Sequence, residues 1–411
     1  MQRFYPYDRE VMEICAECER IGLPIIFHTG RSGIEPISAY DPAPYEVRIA
    51  GEAKDFTFDA RLGKRMDRFT QFALTAAKQA LEQAGLMPEG GESQGVNPER
   101  IGVSMGTGIG GFPFLMTQHQ KFLETGRFHP LTVPIIISNM AAANLAIQFK
   151  LQGPNLCITT ACASGNHSIA NAADLIRLGR ADAMVAGGTE ATITPFAVGG
   201  YAQLRALSTR NDDPPRASRP FTASRDGFVL AEGAGVLLLE SLSHARKRGA
   251  EILAEVAGHG QNTDAYHLTA PDPEGRGAAR AMELALADSG LNPEEVDYIN
   301  AHGTSTPLND ALETRAIKAV FGERARAIPV SSIKSMVGHS LGASAGIEAV
   351  ASVLAIRNGV IPPTINLTDP DPELDLDYVP NEAREAPLNA VVSNSFAFGG
   401  HNAVVVFKKA P

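Results

Sequence analysis

Apolar and polar positions along this chain follow two rhythms, and the rhythms themselves alternate. From 66 to 84, Met66, Phe69, Ala73, Ala76, Ala80 and Ala84 recur every three or four positions and line one helical face, with Gly85 suited to end it. The apolar run I-G-V-S-M at 101–105 then predicts a strand, 134–149 a helix, and N-L-C-I-T at 155–159 a second strand. A helix crowded with small residues follows from Cys162 to about Leu178, and A-D-A-M-V-A-G-G reads as an apolar strand.

Beyond Gly233 the cycle continues. G-V-L-L-L-E predicts a buried strand, followed by a helix through Arg246, a strand at 252–258, a helix at 276–289 and a strand at 296–300. A helix at 309–320, a strand at 328–332 and a long helix at 342–357 come next, and A-V-V-S-N and A-V-V-V-F pair around a glycine turn. Alternation of this kind predicts a layered α/β fold. Two stretches, I-T-T-A-C-A-S-G-N-H-S-I-A-N-A-A and G-H-S-L-G-A-S-A-G-I-E-A-V-A-S, repeat a theme of strand, turn and small-residue helix. That hints at duplication, with two such helices facing each other around a shared site.

Composition narrows the function. The 411 residues suffice for two domains or one large duplicated unit, and 44% hydrophobic against 20% charged residues supports a sizeable core. Thirty-six Lys and Arg against 46 Asp and Glu give a net charge of −10, which argues against broad nucleic-acid binding and leaves room only for a local basic patch receiving an acidic partner. The chain shows neither an apolar run of membrane-spanning length nor a signal-peptide pattern, so the expectation is a soluble, cytoplasmic protein without a membrane partner. Its four cysteines, Cys15, Cys18, Cys157 and Cys162, read as free thiols. The C-x-x-C of Cys15 and Cys18 has no matching second pair and fits two ordinary helix residues better than a metal half-site.

Three residues carry the candidate chemistry. Cys162, in T-T-A-C-A-S-G, sits where a strand gives way to a helix, and free N–H groups at a helix start depress a thiol pKa and can face an oxyanion. Read alone, the segment suits a buried structural cysteine equally well. His302, in N-A-H-G-T-S-T-P-L-N-D, and His339, in K-S-M-V-G-H-S-L-G, both lie at strand ends, where α/β sites gather. G-T-G-I-G-G at 106–111 matches neither nucleotide-binding loop pattern in full and reads as a tight turn near a ligand channel.

From Gly30 to Lys408 the chain closely resembles the type II β-ketoacyl-acyl-carrier-protein synthases, condensing enzymes of the thiolase-like fold. The resemblance rests on T-A-C-A-S-G, G-G-T-E, R-P-F-T-A-S-R-D-G-F-V-L-A-E-G-A-G, A-H-G-T-S-T-P-L-N-D, S-S-I-K-S-M-V-G-H-S-L-G-A-S-A-G and N-S-F-A-F-G-G-H-N, in that order. It implies a duplicated five-layer α-β-α-β-α architecture, with an atypical segment 1–30, a half at 31–250 holding the nucleophile and a half at 251–411 holding both histidines. It implies that Cys162 takes an acyl chain from acyl-carrier protein, and that His302 and His339 promote decarboxylation of a malonyl unit and stabilise its enolate. Lys334 and Glu348 match the supporting pair. The backbone of Cys162 and Phe398 matches the oxyanion hole, with Phe398 as a gate. Thr304 and Thr306 match contacts to the pantetheine arm, and Ile109 and Tyr201 match walls of the acyl channel. Lys64, Arg65, Arg68 and Arg205 are the candidates to receive the carrier protein. A homodimer pairing around Asn155–Thr159 is implied, and no metal or other cofactor.

The first thirty residues depart from this pattern. The family opens with a strand and then a helix, whereas here a helical segment, 9–21, precedes G-L-P-I-I-F-H-T-G, which resembles a fragment of an amidohydrolase barrel. Thirty residues cannot build that barrel, so His28 is not expected to bind metal, and P-I-I-F-H-T is the candidate to replace the missing first strand. Three rival readings remain open: a polyketide ketosynthase using the same residues; a non-catalytic partner subunit, against which Cys162 argues; and a variant left inactive or poorly folded by the altered N-terminus.

Overall fold

The computed structural model describes residues 30–86 and 96–410. Helix α1 (Arg68–Gln83) forms on its predicted face, with the Asp67 carboxylate accepting the Phe69 N–H as its cap and Phe69, Phe72, Ala73 and Ala77 buried beneath it. The apolar runs then supply two sheets. The first comprises β1 (Ile101–Gly106), β2 (Asn155–Ile158), β3 (Ala183–Glu190) and β4 (Gly233–Glu240) in the order β2-β1-β3-β4, parallel except for β4. The second comprises β5 (Ala254–Thr263), β6 (Tyr298–Asn300), β7 (Val330–Ser331), β8 (Ala390–Ala397) and β9 (His401–Lys409) in the order β7-β6-β8-β9-β5. There β7, β6 and β8 are parallel, and β9 and β5 antiparallel to their neighbours.

The two orders coincide, strand for strand and direction for direction, so the hint of duplication in the small-residue helices is a property of the sheets. The second sheet adds β5. At the corresponding margin of the first, beyond β4, the described residues leave an apolar groove of about 450 Å³ lined by Ile176, Leu237, Leu239, Leu253 and Phe407. The candidate replacement strand P-I-I-F-H-T lies outside the described residues, as do His28, Cys15 and Cys18.

Helices complete five layers. Helices α2 (Phe112–Thr125), α3 (Thr132–Ile136) and α4 (Met140–Phe149) lead to α5 (Ser164–Arg177), and α6 (Pro195–Gln203), α7 (Arg276–Ser289), α8 (Pro307–Phe321) and α9 (Ser344–Asn358) follow. Helices α1 and α4 cover the outer face of the first sheet, α5 and α9 fill the space between the sheets, and α7 covers the second with α8 packed on it. The central layer is built from the two small-residue stretches, and their composition is what lets it be thin. A Cβ at Gly165 would lie 2.7 Å from the Gly346 nitrogen, and one at Gly235 would lie 2.2 Å from the Gly346 carbonyl carbon.

Two details differ from the sequence expectation. The helix at 134–149 is broken, with Ile137 extended at ψ 138° between α3 and α4. The turn at 107–111 presses into that break: Gly111 donates to the Ile136 carbonyl at 3.1 Å, and a Cβ at Gly110 would lie 2.9 Å from the Ser138 Cα. Helices α2 and α6 were not anticipated. Each opens with Pro in its first turn, but exposed Leu115, Phe122 and Leu123 on α2 and Phe196 on α6 blur the amphipathic rhythm.

Close contact between β4 and α9 makes a stability prediction. Gly235→Ala is expected to lower unfolding free energy by about 1–3 kcal/mol in denaturant titration, because backbone rather than a yielding side chain meets the new methyl. Gly199→Ala, with no atom within 4 Å, is expected to be neutral or stabilising. Equal effects at the two positions would contradict this account of the central layer.

Candidate active site

Cys162 follows β2 through a turn in which Ala161 takes a φ of 49°, and α5 starts two residues later at Ser164. His302 follows β6, and Lys334 opens a helical turn just after β7. His339 is held by its own backbone, its N–H donating to the Val229 carbonyl at 2.7 Å and its carbonyl accepting from Ala231 at 3.0 Å. These segments bring one ligand atom each of Cys162, His302 and His339 within 4.8 Å of one another, all three residues buried.

His339 Nε2 lies 3.0 Å from Cys162 Sγ, and its Nδ1 lies 2.9 Å from the Ser344 hydroxyl. The Phe228 ring meets the imidazole edge to face at 5.1 Å. Lys334 Nζ donates to the His302 carbonyl at 2.6 Å, stands 3.4 Å from His302 Nδ1 and pairs with Glu348. An ammonium has only donors, so Nδ1 of His302 is the acceptor and its proton resides on Nε2. The spacing of sulfur and two imidazoles would also suit a soft metal ion, but the fixed ammonium beside them opposes a further cation.

Enclosure sets the protonation states. Burial pushes the Cys162 thiol up to about 12, with Lys334 pulling the other way. The helix starts two residues beyond the predicted Cys162, and desolvation outweighs its effect, so the resting group is a thiol, where a helix start alone would favour the thiolate. Burial, and then the charge of Lys334, lower His302 well below 6.5, and the same two causes act on His339, so both imidazoles are neutral near pH 7. Burial raises Glu348 to about 7 against the opposing pull of Lys334.

A cavity of about 380 Å³ opens onto these groups. Thr304, Thr306, Ile109, Tyr201, Arg205 and Phe398 all line it. The hydroxyls of Thr304 and Thr306 are 2.9 Å apart. Phe398 opens a turn whose Gly399 and Gly400 have φ of 80° and 71°, and its ring lies 6.5 Å from that of Tyr201. Lys64 and Arg65 are exposed beyond a short helix at Ala60–Gly63, and Arg205 is exposed after α6. Arg68 is also engaged within the chain: its guanidinium is bonded to Glu232 at 2.7 Å and to the Ala53 carbonyl at 2.7 Å, and it lies 4.8 Å over the Phe72 ring. It braces the first half while its side chain stays 36% exposed.

Three acids that sequence reasoning left without a role hold the loops in place. Glu313 accepts the N–H groups of His302 and Gly303, both at 2.8 Å. Asp264 accepts from Asn402 at 2.7 Å, while its N–H donates to the Gly400 carbonyl at 2.8 Å and so pins the Phe398 turn. Glu190 receives N–H groups from two separate loops. Glu190 was visible as the last residue of G-G-T-E, and Glu313 as an acid on the buried helix face it shares with Asp310; Asp264 gave no signal.

Comparison with known proteins agrees with this geometry. The family model described as beta-ketoacyl synthase, N-terminal domain, matches residues 27–245, and its C-terminal counterpart matches residues 253–368. The 3-oxoacyl-[acyl-carrier-protein] synthase 2 of Synechocystis is 52% identical over 386 residues, covering 92% of each chain, and that of Coxiella burnetii is 49% identical with the same coverage. Among solved structures, a beta-ketoacyl synthase from Burkholderia phymatum superposes with a TM-score of 0.85 at 35% identity, over 94% of each chain. A type II polyketide ketosynthase in complex with its acyl-carrier protein gives 0.84 at 36% identity, again over 94% of each. A thiol, two neutral imidazoles and a buried ammonium around one apolar channel define a carbon–carbon condensing enzyme of the thiolase-like fold. The chain belongs to the beta-ketoacyl synthase family, on the branch of the type II synthases.

The charges around Cys162 predict opposite shifts in its reactivity. Lys334→Ala removes the cation that stabilises the thiolate, so alkylation by iodoacetamide, followed by mass spectrometry over about pH 7–10, should move to higher pH. Glu348→Gln removes an anion that opposes ionisation and should move it lower. Shifts of the same sign, or none, would refute this reading of the site. Lys334→Ala should also cost about 3–5 kcal/mol of stability by leaving a buried carboxylate unpaired.

Proposed function

We propose that this enzyme elongates acyl chains carried on acyl-carrier protein, joining a Cys162-bound acyl group to a malonyl unit with loss of carbon dioxide. The observation that carries the assignment of roles is the 3.0 Å contact between Cys162 Sγ and His339 Nε2 inside an apolar cavity. As the sulfur attacks the carrier-bound thioester, its proton passes to His339 and on to the departing carrier thiol, leaving the acyl group on Cys162. The malonyl thioester then binds along the same channel. Its carboxylate leaves as carbon dioxide, and the resulting enolate oxygen is held by the Nε2–H donor of His302, beside His339. The carbanion attacks the Cys162 thioester, whose oxyanion faces the backbone N–H groups of Cys162 and Phe398. Collapse releases the 3-oxoacyl product, and the freed thiolate takes a proton from water.

Thr304 and Thr306 suit the amide groups of the pantetheine arm, because their paired hydroxyls line the cavity. Lys64, Arg65 and Arg205, exposed and cationic, are the candidate contacts for the acidic carrier. The substrates travel on the carrier's own arm, so the sequence of steps calls on no metal, nucleotide or flavin. A homodimer is supported by β2, an outer strand of the first sheet, whose Leu156 is exposed, as are the apolar side chains of Leu115, Phe122 and Val133. Residues 31–250 and 251–411 are then the two halves, each contributing one side of the site. Among the described residues no helix is long and apolar enough to cross a membrane, which accords with a cytoplasmic enzyme.

Intact-protein mass measurement after incubation with acyl-carrier protein loaded with an acyl group tests the roles. The unaltered chain is expected to gain one acyl mass and Cys162→Ala none; a gain in both, or in neither, rejects Cys162 as the acceptor. His302→Ala is expected to keep the acyl gain but lose about 100- to 1,000-fold in condensation with malonyl carrier protein. Because both histidines lie well below 6.5, the condensation rate should not fall as pH drops through 6.5, and a loss centred there would contradict their neutral resting state.

A further inference from the structure

Glu190 ends β3 and is fully buried. Its Oε2 accepts the N–H of Gly108 at 2.6 Å and that of Gly342 at 3.1 Å. Its Oε1 accepts the Thr107 hydroxyl at 3.1 Å and the Ile109 N–H at 3.3 Å. One carboxylate thus receives donors from two segments more than two hundred positions apart in the chain. The first, 107–110, carries Ile109 on the wall of the cavity, and continues into the turn wedged in the break between α3 and α4. The second carries His339 and Leu341, which line the same cavity beside Cys162.

The two segments touch backbone to backbone. A Cβ on Gly342 would lie 2.3 Å from the Gly108 nitrogen, and one on Gly108 would lie 2.8 Å from Glu190 Oε2. No side chain therefore buffers movement of one against the other, and the carboxylate bridges them. We propose that Glu190 is a positioning residue for acyl-chain selection: by clamping the Ile109 turn to the His339 loop, it sets how far a bound chain can push the channel wall before His339 is displaced from Cys162. The inference rests on the condensing reading above. It concerns only acyl groups long enough to reach Ile109; an acetyl group on Cys162 leaves that turn untouched.

A carboxylate accepts at both oxygens, whereas the amide of a glutamine must point one N–H₂ at an existing donor. Glu190→Gln therefore loosens the clamp with almost no change in volume. The test measures Cys162 acylation and condensation, each as kcat and KM, with acetyl and with tetradecanoyl carrier protein as donors. The expected outcome is a fall of about tenfold or more in the tetradecanoyl-to-acetyl ratio of kcat/KM, a ratio in which the loss of the Glu190 charge near Cys162 cancels because both donors meet the same thiol. A loss that is uniform across donor length marks Glu190 as a purely structural acid and overturns the proposal, as does wild-type behaviour with both donors. If Glu190→Gln does not fold, Thr107→Val removes one donor to the same carboxylate and is held to the same criterion, a change in the long-to-short ratio. Failure of the unaltered chain to acylate Cys162 with either donor would instead reject the condensing roles, a result distinct from failure of the clamp.

Discussion

A single buried ion pair, Lys334 with Glu348, orders everything at the centre of this molecule. Both side chains are 1% exposed, one in the helical turn that follows β7 and the other in the first turns of α9. The same ammonium fixes the His302 backbone through its carbonyl and selects the tautomer of its ring. It also lowers both imidazoles and pulls the Cys162 thiol down against desolvation. Paired buried charges seldom improve stability over packed hydrophobic residues, and removing one partner is costly. Its effect is on the protonation of three neighbouring groups, which a hydrophobic replacement could not exert.

Duplication explains how such a cluster is assembled from a chain that never places its members close in sequence. Equivalent strand ends of the two sheets converge. Cys162 follows β2, and Lys334 follows the matching strand β7; the Ile109 turn follows β1, and His302 follows the matching strand β6. Glu190 ends β3, and the Phe398 turn follows the matching strand β8. Each half therefore delivers the same three loops, and the two sets differ only in what their side chains do. The central helices can approach closely enough for this because Gly165, Gly235, Gly346 and Gly342 leave room for backbone contact.

Much of this was legible in the sequence, and the exceptions have physical causes. Strands β1, β3, β4, β8 and β9 announced themselves as apolar runs because both faces of each sheet are covered. The break at Ile137 was invisible because its cause, the Gly110–Gly111 turn, comes from a distant segment. The cationic run around 64–68 looked uniform, yet Arg68 faces inward to Glu232, a partner 164 positions away, while Lys64 and Arg65 remain outside. The thiol's pKa went the other way from expectation for a related reason. A helix start can be read from local sequence, but the desolvation that outweighs it is supplied by the whole fold. Cys162, His302 and His339, which the fold brings together, could be singled out because their strand-end settings and the motifs around them are local.

That dominance of desolvation bears on how the rival activities differ. In a dry pocket the sulfur, the imidazoles and the ammonium act on one another with little competition from water, and the same constellation serves any acyl thioester that reaches it. A partner subunit without catalysis would have no use for a thiol 3.0 Å from an imidazole and four groups of linked charge. Between a fatty acyl chain and a polyketide, then, the catalytic residues cannot discriminate, since both present the same thioester to Cys162. Discrimination then falls to the rest of the cavity, which Ile109, Tyr201 and Phe398 line. An apolar wall of that kind accepts a methylene chain readily, whereas each keto oxygen of a polyketide brought against it would lose its hydrogen bonds to water. The polar groups of Thr304, Thr306 and Asn309 line the cavity as well, at the segment that follows His302. With the Ile109 turn clamped as proposed, an apolar wall would select by chain length and polarity together, and that favours the fatty acyl substrate over its oxygenated rival.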